Sequence, residues 1–205
     1  MISPETLGID VSRETCARLE QHLALLRKWN PRINLVSRST LEDASLRHLR
    51  DSAQLVTLAP APLKHWVDLG SGGGFPGLVV AILLAERDPA CRVTMIESDT
   101  RKATFLRTVL RETGIAAQVL AQRIEEAAPQ NADVVSARAL APLPKLLAFA
   151  QRHLHPDGTG LFPKGESWGK ELDDARMEWQ FSCTPHTSTT NATAVVLEIG
   201  DLAHV

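Results

Sequence analysis

Along the first sixty residues, apolar positions recur every three or four places. Cys16, Leu19, Leu23 and Leu26 make one such stripe, which predicts an amphipathic helix. Ser12 suits its N-cap, and Pro31 predicts an end near Asn30, because proline lacks the amide a helix interior needs. A second helix is expected from Thr40, where Thr40-Leu41-Glu42-Asp43 fits a capping box, to about Leu58. Pro60 and Pro62 then mark a connector. From Lys64 the period changes, and short apolar runs alternate with helical stretches. Strands are expected at 65–69, 92–97, 117–120, 132–136 and 160–162. Helices are expected from Pro76 to about Glu86, from the Asp99 cap to Gly114, and from Leu143 to His153. Trp179–Cys183 and Ala194–Ile199 read as two further strands around a loop of Ser and Thr. The alternation predicts an α/β fold: a parallel sheet with helices on both faces, closed by an antiparallel pair.

Between the first strand and its helix lies Asp68-Leu69-Gly70-Ser71-Gly72-Gly73-Gly74-Phe75-Pro76-Gly77. Glycines allow a sharp turn and a close backbone approach to a ligand, and the open amides of a helix start favour a polar or anionic one. Two signatures compete. Gly72 to Gly77 fits the GxGxxG of dinucleotide enzymes, whereas Asp68, Gly70, Gly72 and Gly74 fit the D-x-G-x-G-x-G of S-adenosylmethionine (SAM) enzymes. Glu97, ending the second strand, serves ribose hydroxyls in either class. Gly70, directly after the strand, and the terminal antiparallel pair favour SAM, with Asp68 facing the ligand's amino end.

Composition narrows the setting. With 44% hydrophobic and 22% charged residues, the 205-residue chain can bury a core and is not a disordered tail. Its longest apolar stretch, Leu78 to Ala85, is far below the ~20 residues of a membrane span. No signal-peptide pattern opens it, so a cytoplasmic protein with no membrane partner is expected. Cys16, Cys91 and Cys183 are scattered, fitting buried thiols in a reducing compartment and no zinc clip. No metal is expected; His153 and His155 read as helix-end residues. The net charge of −2 argues against indiscriminate nucleic-acid binding but is unevenly spread. Residues 27–50 and 101–123 each carry +4, and residues 165–205 carry −5.

The glycine turn closely resembles the signature of the RsmG (GidB) family of small-subunit ribosomal RNA methyltransferases. Other segments match in order: Asn34-Leu35-Val36-Ser37, Arg47-His48-Leu49-Arg50-Asp51-Ser52, Arg101-Lys102-Ala103-Thr104-Phe105-Leu106, Arg123-Ile124-Glu125-Glu126, Ser136-Ala137-Arg138-Ala139 and Lys164-Gly165. The resemblance spans about residues 20 to 200, and the Ser/Thr-rich stretch at 182–193 has no match and no assigned role.

The resemblance implies a class I SAM-dependent methyltransferase: a Rossmann-like, seven-stranded, mostly parallel sheet with an antiparallel C-terminal strand, plus an N-terminal helical cap. Residues 1–62 would be the cap, within the same compact unit as a methyltransferase domain at 63–205. It implies methylation of guanine N7, at nucleotide 527 in the 530 loop of 16S rRNA, with the RNA met in the small subunit or its assembly intermediate, and a monomeric enzyme. N7 carries a lone pair and no proton, so in-line attack needs no general base, and catalysis rests on positioning. Asp68, Gly70, Ser71, Gly72, Gly74 and Phe75 would line the cofactor. Glu97 would hold its ribose with Ser98 beside it, and Ile124 and Glu125 would meet the adenine. Arg123 and Arg138 would sit at the open end as substrate-positioning groups, Arg138 also reaching the cofactor. A guanidinium there suits guanine O6 or a phosphate. Asn34, His48, Arg101, Lys102 and Lys164 are further substrate-side candidates. His48, Asp51 and Ser52, three and four apart on one helix face, would join the cap to the cleft.

Overall fold

The structure is a computed structural model and describes residues 2–37 and 44–205; the expected capping box at Thr40-Leu41-Glu42-Asp43 lies outside the described residues. Three helices precede the sheet: α1 (Pro4–Leu7), α2 (Arg13–Ile33) and α3 (Ala44–Leu58). Ser12 caps α2 by accepting the Thr15 amide at 3.1 Å. Pro31 does not end this helix. Its fixed φ is helical and it removes only one backbone bond, so α2 runs on to Ile33. The stop comes at Asn34, left-handed at φ 50°, whose amide donates to the Asn30 carbonyl at 3.0 Å.

Seven strands follow: β1 (His65–Leu69), β2 (Arg92–Ile96), β3 (Gln118–Leu120), β4 (Ala132–Ala137), β5 (Leu154–Lys164), β6 (Trp179–Thr187) and β7 (Val195–His204). Their order is β3-β2-β1-β4-β5-β7-β6, with β7 antiparallel to both its neighbours and the β3-to-β5 block parallel. Helices α4 (Gly77–Arg87), α5 (Thr100–Thr113), α6 (Leu143–His153) and α7 (Trp168–Arg176) complete the chain. Because β1 is buried on both faces, its side chains alternate between two cores. Trp66 packs with Leu19, Leu26, Leu49, Val79 and Phe105 beneath α2 to α5, while Val67 and Leu69 pack with Leu146, Leu147 and Ala175 beneath α6 and α7.

The sequence pattern leaves α1 and α7 unpredicted and makes β5, β6 and β7 too short. Helix α7 buries only Leu172 and Ala175, too few to make a periodic stripe. Strand β5 is eleven residues long, but Pro156, Gly158, Gly160 and Pro163 punctuate it like a loop, and its pairing with β4 slips between Ala132 and Val134. The cysteines are free thiols; only Cys16 is buried, and Cys91 and Cys183 are half-buried.

The chain winds from β1 outward to β3, then returns to start β4 on the other side of β1. That reversal leaves a crevice at the carboxyl ends of β1 and β4, the usual ligand position in such sheets.

Candidate active site

Asp68 is a fully buried carboxylate in the central strand. Its Oδ1 accepts the Ser136 hydroxyl at 2.7 Å, and its Oδ2 accepts the Gly77 amide at 3.1 Å, at the start of α4. Ser136 in turn accepts the Trp66 indole N–H at 2.9 Å. Burial pushes the Asp68 pKa up to about 6; the hydrogen bonds it accepts oppose the rise, and the charge of Glu97 adds to it. Facing the ligand's amino end was the sequence expectation. The structure instead spends both oxygens on β4 and α4, and Asp68 lines no part of the cavity outside. Its job is to pin the glycine turn between them.

The turn itself is left-handed at Gly70 and Gly74, with φ 65° and 86°. A side chain at Gly74 would collide with Leu78, and a Cβ at Gly70 would lie 2.6 Å from Leu140 Cδ1. Ser71 is buried and donates to the Asp68 carbonyl at 3.2 Å. Glu97, also buried, closes the other side: Oε2 accepts the Gly72 amide and Oε1 the Asp99 amide, each at 2.8 Å. From beneath, the buried His22 lies 2.9 Å from the Gly73 carbonyl through Nε2. Burial brings His22 down to about 4, so the ring is neutral and Nε2 donates. Phe75 sits between two histidines, with ring centroids 4.9 Å from His22 and 5.3 Å from His48.

Outside the turn is a cavity of about 370 Å³. Gly70, Gly72, Glu97, Ser98, Lys102, Arg123, Ile124 and Glu125 line it together. Arg123 pairs with Glu125 at 3.0 Å at its exposed rim. The buried His153 fixes the Ile124 carbonyl through Nε2 at 3.0 Å. Sequence reading missed Ile96, Leu140, Lys145 and Phe149 in the lining. Leu140, Lys145 and Phe149 lie in or just before α6, whose apolar stripe read simply as core; Ile96 read as the strand before Glu97.

A second cavity, of about 600 Å³, adjoins the first across Ala139-Leu140-Ala141, which line both. Ala139 is left-handed at φ 50°, a conformation an L-residue adopts at a cost. Arg138, Arg47, Asp51, Gln54 and Lys164 line this cavity, with Glu171 and the β6–β7 loop opposite. Arg138 lines the second cavity and not the first. It donates from one guanidinium nitrogen to His48 Nδ1, and the same nitrogen lies 4.0 Å from Asp51 Oδ2. Its other terminal nitrogen is buried with no hydrogen-bond partner among the described residues. His48 can accept because burial, with help from Arg138 and Arg47, brings its pKa down to about 4. Ser52 donates only to the His48 carbonyl one turn back, at 2.7 Å. Lys164 is not solvated: its side chain is 8% exposed, bonding Glu171 at 2.6 Å and the Ala141 carbonyl at 3.1 Å. Glu171 also accepts the Leu143 amide at 3.0 Å, so this pair ties the partition between the cavities to α6 and α7. Arg101 is exposed and paired with Asp99 at 2.9 Å, and Asn34 is the α2 cap; neither touches either cavity.

Strand order, glycine turn and adjoining crevice define a SAM-dependent methyltransferase of the class I fold. Solved structures agree on that fold: an O-methyltransferase from Bacillus cereus in complex with SAH superposes with a TM-score of 0.60 at 14% identity, covering 90% of each chain. A SAM-dependent methyltransferase from Aquifex aeolicus gives 0.59 at 15%, covering 86% of this chain and 97% of its own. The family model for GidB, rRNA small subunit methyltransferase G, matches residues 15–198, and the chain belongs to that family. A relative in Ruegeria pomeroyi, ribosomal RNA small subunit methyltransferase G, is 52% identical over all of both chains.

The first cavity suits SAM. Gly70 leaves room where a Cβ would overlap Leu140, Glu97 presents a carboxylate for ribose hydroxyls, and Ile96, Ile124, Leu140 and Phe149 offer apolar surface for a purine. When bound, SAM supplies a methyl group activated by its sulfonium.

Proposed function

We propose that this chain methylates N7 of guanine 527, in the 530 loop of 16S rRNA, acting as a cytoplasmic monomer on the small subunit or an assembly intermediate. The observation that carries the reading is the pair of adjoining cavities at the carboxyl end of the sheet: one built on the glycine turn, the other on Arg138, sharing residues 139–141 of those that line them. Such a partition suits an enzyme that must hold two reactants close in a fixed orientation, which is where the rate of a base-free displacement comes from. Gly70, Gly72 and Glu97 hold the cofactor, with Ser98 flanking the ribose and Ile124 and Glu125 beside the adenine. Gly74, Ser71 and Asp68 keep the turn's shape. Arg138 takes guanine O6 or an adjacent phosphate with its unpartnered nitrogen. His48 holds that guanidinium, and Arg123 and Lys102 guard the rim.

The charge layout supports an RNA substrate. Gln21 reaches the Glu112 carbonyl at 3.0 Å, and Trp29 meets Phe105 at 5.8 Å, so α2 and α5 run antiparallel. This register brings exposed Arg27, Lys28 and Arg32 beside the start of α5, with Arg101 and Lys102, as a phosphate-facing surface. The cap, residues 1–62, and the domain, 63–205, act as one unit, a reading supported by their shared core under α4 and α5.

Mass mapping of small-subunit rRNA from cells with and without the protein tests the reading. One methyl on guanine 527, absent without the protein, is expected; a methyl elsewhere overturns the site.

A further inference from the structure

The β6–β7 loop, residues 188–194, had no role in the sequence, yet it reaches across the molecule to the N-terminal helices. Thr190 donates its hydroxyl proton to Asp51 Oδ1 on α3. With that proton committed, the contact between Ser188 Oγ and Thr190 Oγ1, at 3.1 Å, must have Ser188 as donor. The Thr190 amide returns a bond to Ser188 Oγ at 3.3 Å, and the Thr189 amide donates to Gln54 Oε1 at 3.1 Å. Within the loop, Asn191 Oδ1 accepts the Thr193 amide and hydroxyl at 3.1 and 3.0 Å, and Ala194 accepts the Ser188 amide at 2.9 Å. The loop is thus internally braced and docked on α3 at two points, through the Thr189 amide on Gln54 and through a directed relay, Ser188 to Thr190 to Asp51. The other Asp51 oxygen faces Arg138 at 4.0 Å, and Ser188, Thr190 and Asn191 line the Arg138 cavity.

We infer that Thr190 is a positioning residue for methyl transfer: it fixes the Asp51 carboxylate, and through it the Arg138 guanidinium that meets the acceptor base. The inference rests on the reading that the Arg138 cavity takes that base. A carboxylate held by one hydroxyl can serve a 4.0 Å ion pair only while its orientation is fixed. Freed, it rotates about its last bond, and among the described residues Arg138 keeps only His48 as an anchor.

The test uses the full chain with small-subunit particles as substrate, measuring kcat and KM for the RNA and SAM affinity by calorimetry. Thr190→Val is expected to lower kcat/KM for RNA about tenfold with SAM affinity within about twofold of wild type. Thr190→Ser keeps the hydroxyl and is expected to restore the rate. On an Arg138→Ala background, Thr190→Val is expected to add nothing, because the two act as a unit. Asp51→Asn, which keeps the side-chain shape, must give the same RNA-side loss, and serves if Thr190→Val does not fold. Wild-type kcat/KM in Thr190→Val, with Arg138→Ala crippled, overturns the inference and leaves the acceptor reading standing. Wild-type kcat/KM in Arg138→Ala overturns that reading itself. Equal losses of SAM affinity and transfer in Thr190→Val place the loop's role in the fold or the cofactor side, and also overturn the inference.

Discussion

The two cavities are built by different means. The glycine turn comes from one contiguous stretch, and backbone groups do most of its bonding: the Gly70 amide to the Ile96 carbonyl at 2.8 Å, Gly72 to Glu97, Gly77 to Asp68. The Arg138 cavity is assembled from four distant segments by side chains, Thr190 to Asp51, Arg138 to His48, Lys164 to Glu171. A backbone-built site tolerates little change in shape. A side-chain-built site can lose one contact and keep its fold while losing function.

That contrast can be broken or sharpened in descending order of effect. Gly74→Ala should be worst: a left-handed alanine costs about 1–2 kcal/mol, and overlap with Leu78 adds about 1–3. Denaturant unfolding should show the sum, and SAM binding should fall with it; an unshifted midpoint would mean the turn is softer than its geometry. Arg138→Ala should reduce methyl transfer at least about 100-fold while SAM affinity changes less than about twofold. Parallel losses in both would move Arg138 to the cofactor cavity, where the structure does not put it.

Stability against pH comes next. His22 and His48 have native pKa values near 4, below the ordinary 6.5, so their contribution is full above 6.5 and lost as pH falls toward 4. Asp68 runs the other way. Its native value near 6 lies above the ordinary 3.8, so the penalty of ionising it is full above 6 and relieved below. Between pH 6 and 4 two protons favour the unfolded chain and one the folded, a net slope on the order of 1.4 kcal/mol per pH unit. His65 and His153, also lowered by burial, add in the direction of the other histidines. Asp68→Asn removes the opposing proton, and unfolding curves across this range should steepen; an unchanged slope would show that Asp68 titrates normally. The smallest effect is expected from Lys102→Ala: near-wild-type stability, with the salt dependence of RNA binding shallower by about 0.7 in log–log slope. An unchanged slope would remove Lys102 from the phosphate-facing surface.

Most of the fold was legible because the short apolar runs of β1, β2 and β4 alternate with the apolar run of α4 and the helical stripes of α5 and α6, and because Asp99 and Gly114 cap α5 strongly. The cofactor side was legible for the same local reason, since one stretch of sequence encodes it. The motif reads Asp68 as facing the ligand because Gly70 and Gly72 beside it line the cavity. Only the strand's alternation, combined with Ser136 from β4, shows that it turns inward. Glu171 and Thr190 escaped for a different cause. Glu171 takes the Leu143 amide 28 residues away and Thr190 reaches Asp51 139 residues away, and no local pattern carries such pairings.

The strand order has one more consequence. It sends residues 101–123, with +4, to the β3 edge and residues 165–205, with −5, to the β6 edge. Six inter-strand steps separate those edges, about 29 Å at ordinary sheet spacing. The molecule is therefore an electric dipole laid along the width of its own sheet, with almost no monopole to drag it toward every polyanion. Near RNA such a body feels a torque before it feels much pull, and it arrives turned, with the α5 side leading.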